Sequence, residues 1–217
     1  MAKLKRSRLS DLIIKIICGA VMLICIVPMI NLAARSLSSP LAIINRQVAF
    51  WPVGWTPESY IYVFKDAAFS RSMIWTAILT VIYTLVSLTI TVLCAFPFVD
   101  AGLKGKGFMN MIIIFTMYFS AGTIPNYILI KTLNLLNNPL VLILPSCLSV
   151  FNMIVLRSFF YGVPDSLKES AELDGANPYT VLLRIYLPLS TPVLATLALF
   201  YAVSRWNGFS DALLYLT

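Results

Sequence analysis

Read for stretches without charge, the 217-residue chain divides into five apolar windows, residues 16–34, 72–99, 107–130, 132–156 and 185–204. A helix needs about 20 residues to cross a hydrocarbon core. The runs are apolar on every side, without the one-faced stripe of a soluble amphipathic helix or the alternation of a half-buried strand. The pattern therefore predicts an all-α integral membrane protein, a multi-span helical bundle with five visible spans. Between the spans lie a long loop at 35–71 and a polar loop at 157–187.

Composition agrees. The chain is 59% hydrophobic and 12% charged, where a soluble domain carries about 25% charged residues. The four cysteines, Cys18, Cys25, Cys94 and Cys147, fall inside the windows and read as small apolar packers. There is no histidine and no CxxC pair, so no metal site, bound cofactor or catalytic residue is expected of this chain. The net charge of +7 is distributed over the flanks of the windows. A basic face for nucleic acid is absent from the pattern. The basic start leads into an apolar run that ends without a small-x-small cleavage site, which predicts a retained first span.

Lys and Arg near span ends favour the cytoplasmic side. With the N-terminus inside, residues 1–15 are cytoplasmic and 16–217 form the transmembrane domain. The inner segments then hold Lys3, Lys5, Arg6, Arg8, Lys15, Lys104, Lys106, Arg157, Lys168 and Arg184. The outer segments hold Arg35, Arg46, Lys65, Arg71, Lys131 and Arg205. The split is ten against six of the 16 basic residues.

The outer loop 35–71 gathers Trp51, Trp55, Tyr60, Tyr62 and Phe64, rings suited to the headgroup level or to an external partner. Within it, Thr56 reads as an N-cap with Pro57 at the first helical position and a short helix over 59–64. Pro28 and Pro125 should interrupt hydrogen bonding within the first and third windows. Backbone freed at that depth must be buried in protein or line a cavity. Tyr118, Gly122 and Asn126 in the third window, and Ser146, Ser149 and Asn152 in the fourth, either line a polar path or bond between helices. Tyr118, Asn126 and Asn152 are the candidates for a substrate path. No Asp or Glu lies in any window and Lys15 sits close to an end, an arrangement that disfavours an ion-coupled carrier.

The polar loop is organised in detail. Pro164 suits a first helical position, Asp165 favours the helix N-terminus, and Gly175 supplies a left-handed stop after Asp174. The helix so defined has about ten residues, roughly 15 Å. Asp165, Glu169 and Glu172 share one face, and Leu167 and Ala171 another. A second helix starts at Asn177 and Pro178, with Tyr179, Leu182, Leu183 and Tyr186 as an apolar stripe. Leu187, before Pro188, marks the turn into the last window. An isolated ten-residue helix is marginal, so a partner surface is expected beneath it.

The spacing is specific. Glu169, Ser170 and Ala171, then three residues, Gly175, nine residues, Ile185, one residue, Leu187 and Pro188 resemble the EAA signature of ABC importer permeases. Ser170 is the one departure, where the signature has alanine. The stretches "DGANPYTVLLRIYLPLSTPVLATLALF" and "WNGFSDALLYL" are similar to carbohydrate importer permeases of the maltose type, the shorter of the two paired permeases. The early "PMINLAARSLSSPLAI" and "VAFWPVGWTPESYIYVF" resemble a branch associated with uptake of oligosaccharides or polysaccharide fragments.

The resemblance implies a coupling helix over 165–174 that docks on a cytoplasmic ATPase dimer. Asp165, Lys168, Glu169, Ser170, Ala171, Glu172, Asp174, Gly175, Ala176, Ile185, Leu187 and Pro188 would form the docking loop. It also implies a second permease subunit, an external solute-binding protein and a sugar substrate at a bacterial-type plasma membrane. ATP and Mg would be held by the ATPase, since this chain has no G-x-x-x-x-G-K-[ST] loop. Members of this type carry six spans, so a sixth is expected beyond Thr217. Two other readings stay open: the same machine for amino acids or peptides, and a membrane protein whose polar loop binds a different partner.

Overall fold

The computed structural model describes residues 8–99 and 102–216, and every regular element among them is helical. Lys3, Lys5 and Arg6 of the expected cytoplasmic N-terminus lie outside the described residues. The chain forms two compact units, one up to Ile74 and one from Trp75.

In the first unit α1 (Arg8–Ser36) takes in the first window and Lys15, and Pro28 lies inside it without ending it. Next comes the short α2 (Pro40–Ile44), capped by Ser39, whose side chain accepts from the Ala42 amide. α3 (Glu58–Lys65) starts one residue later than the Thr56–Pro57 signal predicts. Pro57 holds the cap position without a side-chain bond, and Thr56 Oγ1 instead accepts from the Glu58 amide at 3.2 Å. The small core here is Ala34, Ala42 and Val48. Ser38, fully buried, stitches it: its hydroxyl donates to the Ala34 carbonyl at 2.6 Å and accepts from the Val53 amide at 3.0 Å. The large rings stay outside, with Trp51 82% and Tyr62 77% exposed.

α4 (Ala67–Ala95) continues into a 3-10 turn, Phe96–Val99. Among the described residues two helices, Asp11–Ser36 and Ala67–Val99, are long and apolar enough to cross a membrane, and three bent pairs can each supply one more crossing. The third window is not one helix. α5 (Lys106–Tyr118) and α6 (Thr123–Thr132) meet at 113°. The break runs from Phe119, extended at φ −114° and ψ 112°, to Gly122, which caps α6 at φ +88°. Pro125 falls in the first turn of α6, where backbone N–H groups have no helical acceptor and a missing one costs nothing.

The fourth window is also interrupted. It opens with 3-10 turns at Pro139–Leu142 and Leu144–Ser146, then α7 (Val150–Phe160) follows at a 49° bend. Arg157, expected in the polar loop, is therefore a helical residue. After α7 come α8 (Asp165–Leu173), α9 (Pro178–Val181), a π-helical turn Leu182–Tyr186, α10 (Leu187–Leu189), α11 (Thr191–Trp206) and α12 (Phe209–Tyr215). The chain does not turn at Leu187 as expected. It stays helical to Leu189 and bends by 83° before Thr191. The π-turn carries the helix past the proline: the Leu187 amide reaches back five residues to the Leu182 carbonyl.

α7 lies at the centre of this second unit. Met153, Leu156 and Phe160 are fully buried together with Ala95 and Leu197, and the cluster extends to Val181, Leu182 and Tyr186. In a membrane bundle such side chains stabilise by close packing and not by leaving water, since lipid is as apolar as they are.

The irregular backbone at 139–149 needs partners that a helix would have supplied itself. It finds them on other elements. Arg205 Nη1 donates to the Leu142 carbonyl at 2.8 Å, the Tyr83 hydroxyl donates to the Ser146 carbonyl at 2.7 Å, and the Ser149 amide donates to the Tyr201 hydroxyl at 3.2 Å. Arg205, placed by its position at the end of a span, is in fact 6% exposed. Its Nη2 donates to the Gly208 carbonyl at 2.7 Å, Asp211 lies 3.7 Å away, and its guanidinium sits 5.8 Å from the Tyr83 ring centre.

A Cβ on Gly208 would stand 2.2 Å from Arg205 Nη2. Gly208→Ala is expected to displace the guanidinium and destabilise the protein by about 1.5–3 kcal/mol, the worth of a hydrogen bond to a charged group. Thermal unfolding of the purified protein in detergent checks this. An unchanged midpoint would show that Arg205 holds nothing in place.

Candidate functional site: the polar loop between α7 and α11

The loop starts as α7 unwinds through Tyr161, Gly162 and Val163, whose amides bond back to the Arg157, Phe159 and Phe160 carbonyls. Pro164 takes the cap position, one earlier than expected, with φ −60° and ψ 129°, and Asp165 opens α8 at the positive end of its dipole. The helix ends in a Schellman motif. The Gly175 amide bonds to the Glu172 carbonyl at 3.0 Å and the Ala176 amide to the Ala171 carbonyl at 2.9 Å, with Gly175 at φ +80°.

Asn177 then caps α9 at once, its side chain accepting from the Thr180 amide at 2.8 Å, with Pro178 in the first position. Both helices are thus closed by local hydrogen bonds across a joint of a few residues. Such a piece moves as a body more readily than it bends.

Burial sorts the loop's residues. Asp165, Glu169, Ser170, Glu172, Asp174 and Gly175 are exposed, while Lys168, Ala171 and Ala176 are half-buried. Ala171 and Ala176 pack against the α7 cluster, so small side chains here let α8 approach closely. Lys168 Nζ pairs with Glu172 3.8 Å away, a surface pair worth little by itself. Beside that pair lies a cavity of about 550 Å³ whose far wall includes Leu93, Phe96 and Pro97. α8 therefore leans on the α7 cluster through Ala171, and Ala176 does the same just beyond its end.

The second helix presents a different face from the expected one. Leu182 and Tyr186 are buried, but Tyr179 and Leu183 are exposed, and Val181 and Ile185 take their places on the inner side. The π-turn over Leu182–Tyr186 turns the apolar phase away from a 3.6-residue stripe. Leu187 is half-buried and Pro188 exposed.

Leu173, absent from the sequence-based candidates, stands out at the last turn of α8. It is 89% exposed, next to the joint, where the helix's other leucine, Leu167, is 43% exposed. Its signal is a leucine directly before the Asp174–Gly175 stop, off the face that Leu167 and Ala171 share.

The three path candidates fall on three different helices. Tyr118 is the last residue of α5 and Asn126 lies in α6, both exposed on either side of the 113° bend. Asn152 is buried in the first turn of α7, where its amide bonds to the Ser149 hydroxyl at 3.3 Å. Ser146 and Ser149 serve the interhelical bonds described above.

Membrane-length helices, broken crossings tied by buried side chains and a capped polar loop make a helical bundle of the membrane type. The chain belongs to the binding-protein-dependent transport system inner membrane component family, whose pattern matches residues 2–216. It is 39% identical to protein LplC of Bacillus subtilis (strain 168) over 216 residues, covering 100% of this chain and 73% of LplC. It is 36% identical to the polygalacturonan/rhamnogalacturonan transport system permease protein YtcP of the same strain, covering 97% of this chain and 74% of that one. Among solved structures, a chain of a bacterial ABC transporter involved in the import of the acidic polysaccharide alginate superposes with a TM-score of 0.91. It shares 32% identity and covers 98% of this chain and 77% of that one.

The loop's joint is directly testable. A Cβ on Gly175 would meet nothing within 4 Å, so Gly175→Ala costs backbone strain alone, about 1–2 kcal/mol at this left-handed position. Asn177→Ala removes a cap worth about 1 kcal/mol. Both are expected to speed amide hydrogen exchange between 165 and 189 without altering α1. Unchanged exchange in both variants would show that the caps do not hold the loop rigid.

Proposed function

We propose that this chain is the permease subunit of an ATP-driven importer of oligosaccharides, with its N-terminus in the cytoplasm and residues 157–187 as the loop that couples it to a cytoplasmic ATPase dimer. The observation that carries the reading is the construction of α8. It is a nine-residue helix, closed at its end by the Schellman motif, held from behind by Ala171 and Ala176, and presenting Glu169, Ser170 and Leu173 outward.

A helix this short is not self-supporting. Its preformed, exposed face is suited to a cleft on another protein, with Glu169 as a polar anchor and Leu173 as an apolar one. Closure of the ATPase dimer on ATP would then shift α8 together with α9 and the π-turn, and alternate the access of the spans. A second permease subunit would complete the path, and an external solute-binding protein would deliver the substrate. ATP and Mg belong to the ATPase in this scheme; this chain carries the movement.

The substrate class takes its support from the relatives. YtcP is named for polygalacturonan and rhamnogalacturonan, and the alginate transporter for another acidic polysaccharide. Oligosaccharides containing uronic acids are therefore the first class to test on this chain, with Tyr118 and Asn126 as path residues to vary.

Glu169→Ala and Leu173→Ser are expected each to weaken co-purification of the cognate ATPase by about tenfold or more, as loss of an interface anchor does, and to abolish ATP-dependent uptake of oligogalacturonate. An ATPase that binds both variants like wild type would refute the docking assignment. ATPase binding without uptake of any acidic oligosaccharide, alongside uptake of an amino acid or peptide, would overturn the substrate class.

A further inference from the structure

Resting on that reading, we propose that Arg157 and Tyr161 are positioning residues of the transport cycle: they clasp the near leg of the coupling loop to the turn Phe96–Val99, so that displacement of α8 is carried into α4 and α5.

The turn lies beneath both legs of the loop. At the far leg the Tyr186 ring meets Phe96 edge-on, centroids 5.3 Å apart. At the near leg the Tyr161 hydroxyl donates to the Phe98 carbonyl at 2.8 Å. One helical turn earlier, the Arg157 guanidinium lies 5.9 Å from the centre of the Phe98 ring, and its Nη1 donates to Asn110 Oδ1 on α5. Lys106, the first residue of α5, places its ammonium 5.2 Å from the centre of the Tyr161 ring. Two side chains at the end of α7 thus reach the end of α4 and the start of α5, immediately before the chain leaves for α8.

The chemistry suits a clasp better than a core. Phe98 is buried, so its carbonyl needs a donor. Tyr161 supplies that donor while keeping its ring half in contact with Lys106. Arg157 has a planar cation that stacks on one neighbour and donates in its own plane to another. Its Nε is buried with no hydrogen-bond partner among the described residues, a cost that a purely apolar side chain would avoid. A leucine could fill the space. It could not hold the turn and α5 at once.

The test uses the complete importer with its ATPase in nanodiscs. Spin labels are placed on α8 at Ser166 and on α5 at Met111, in a chain with the native cysteines replaced, and distances are measured without nucleotide and after trapping with ATP and vanadate. In the parent the clasp is expected to keep one narrow distance distribution in both states. In Arg157→Met and Tyr161→Phe the distribution is expected to stay narrow without nucleotide and to shift or broaden after trapping, because α8 then moves without α5. Oligogalacturonate carried per ATP hydrolysed should fall roughly threefold or more in both variants, with Arg157→Lys falling less than Arg157→Met.

Variants that keep the parent distribution in both states overturn the proposal, and so does a parent whose own distance shifts on trapping. If Arg157→Met fails to assemble, Tyr161→Phe, which loses a single hydroxyl, decides. Failure of the parent to retain any ATPase would instead defeat the proposed function, and is seen before any label is added.

Discussion

The second unit depends on one buried ring. Tyr186, 1% exposed, stands edge-on to both Phe96 and Phe160, each with centroids 5.3 Å away. Phe160 ends α7 and Phe96 opens the turn after α4, so the three rings bring the start and finish of the polar loop onto the same support. Edge-to-face pairs of this kind add about 0.5–1.5 kcal/mol each beyond their burial. They also specify direction, which burial alone does not. The loop can be polar and exposed while both its ends are held, because those ends pack in the buried cluster.

The same economy governs the broken crossings. A straight apolar helix satisfies its own backbone, whereas a bent one must borrow partners from elsewhere. The stretch 139–149 borrows from Tyr83 on α4 and from Tyr201 and Arg205 on α11, and Thr91 completes the set by bonding the Tyr201 hydroxyl at 2.7 Å. In the fourth window it is the backbone of Ser146 and Ser149 that takes part in joining helices, while the Ser149 hydroxyl caps α7. The bend between α5 and α6 is different. Its residues stay exposed and it hinges on Gly122, so it is the place where a polar path has least competition from structural duty.

What could be read from the sequence follows the range of each interaction. Gly175, Asn177 and Pro178 act within a few residues of themselves, and the helix, stop and second helix they imply are all present. The five windows located apolar chain but not its direction, because counting hydrophobic residues is blind to φ. Nothing local distinguishes Gly122 at +88° from Gly19 inside α1. Arg205 was placed by proximity to a span end, yet its position is set by a carbonyl 63 residues away. The stripe at Tyr179 and Leu183 failed for a related reason. It assumed an ordinary helical period across a stretch that Pro188 forces into a π-turn.

Ser170 shows why the departure from the EAA pattern falls where it can be borne. In α8 the side chain at 171 faces the α7 cluster and the one at 170 faces outward, so a hydroxyl at 171 would enter an apolar contact while a hydroxyl at 170 stays wet. Burying an unpaired hydroxyl costs about 1–3 kcal/mol, and exposing one costs almost nothing. The two alanines of the pattern are therefore not equivalent: the second is fixed by this chain's own packing, and the first only by whatever surface meets the loop. Serine at the first leaves the helix and its support intact and adds one donor to the docking face, so any consequence must appear in the choice of partner and not in the fold.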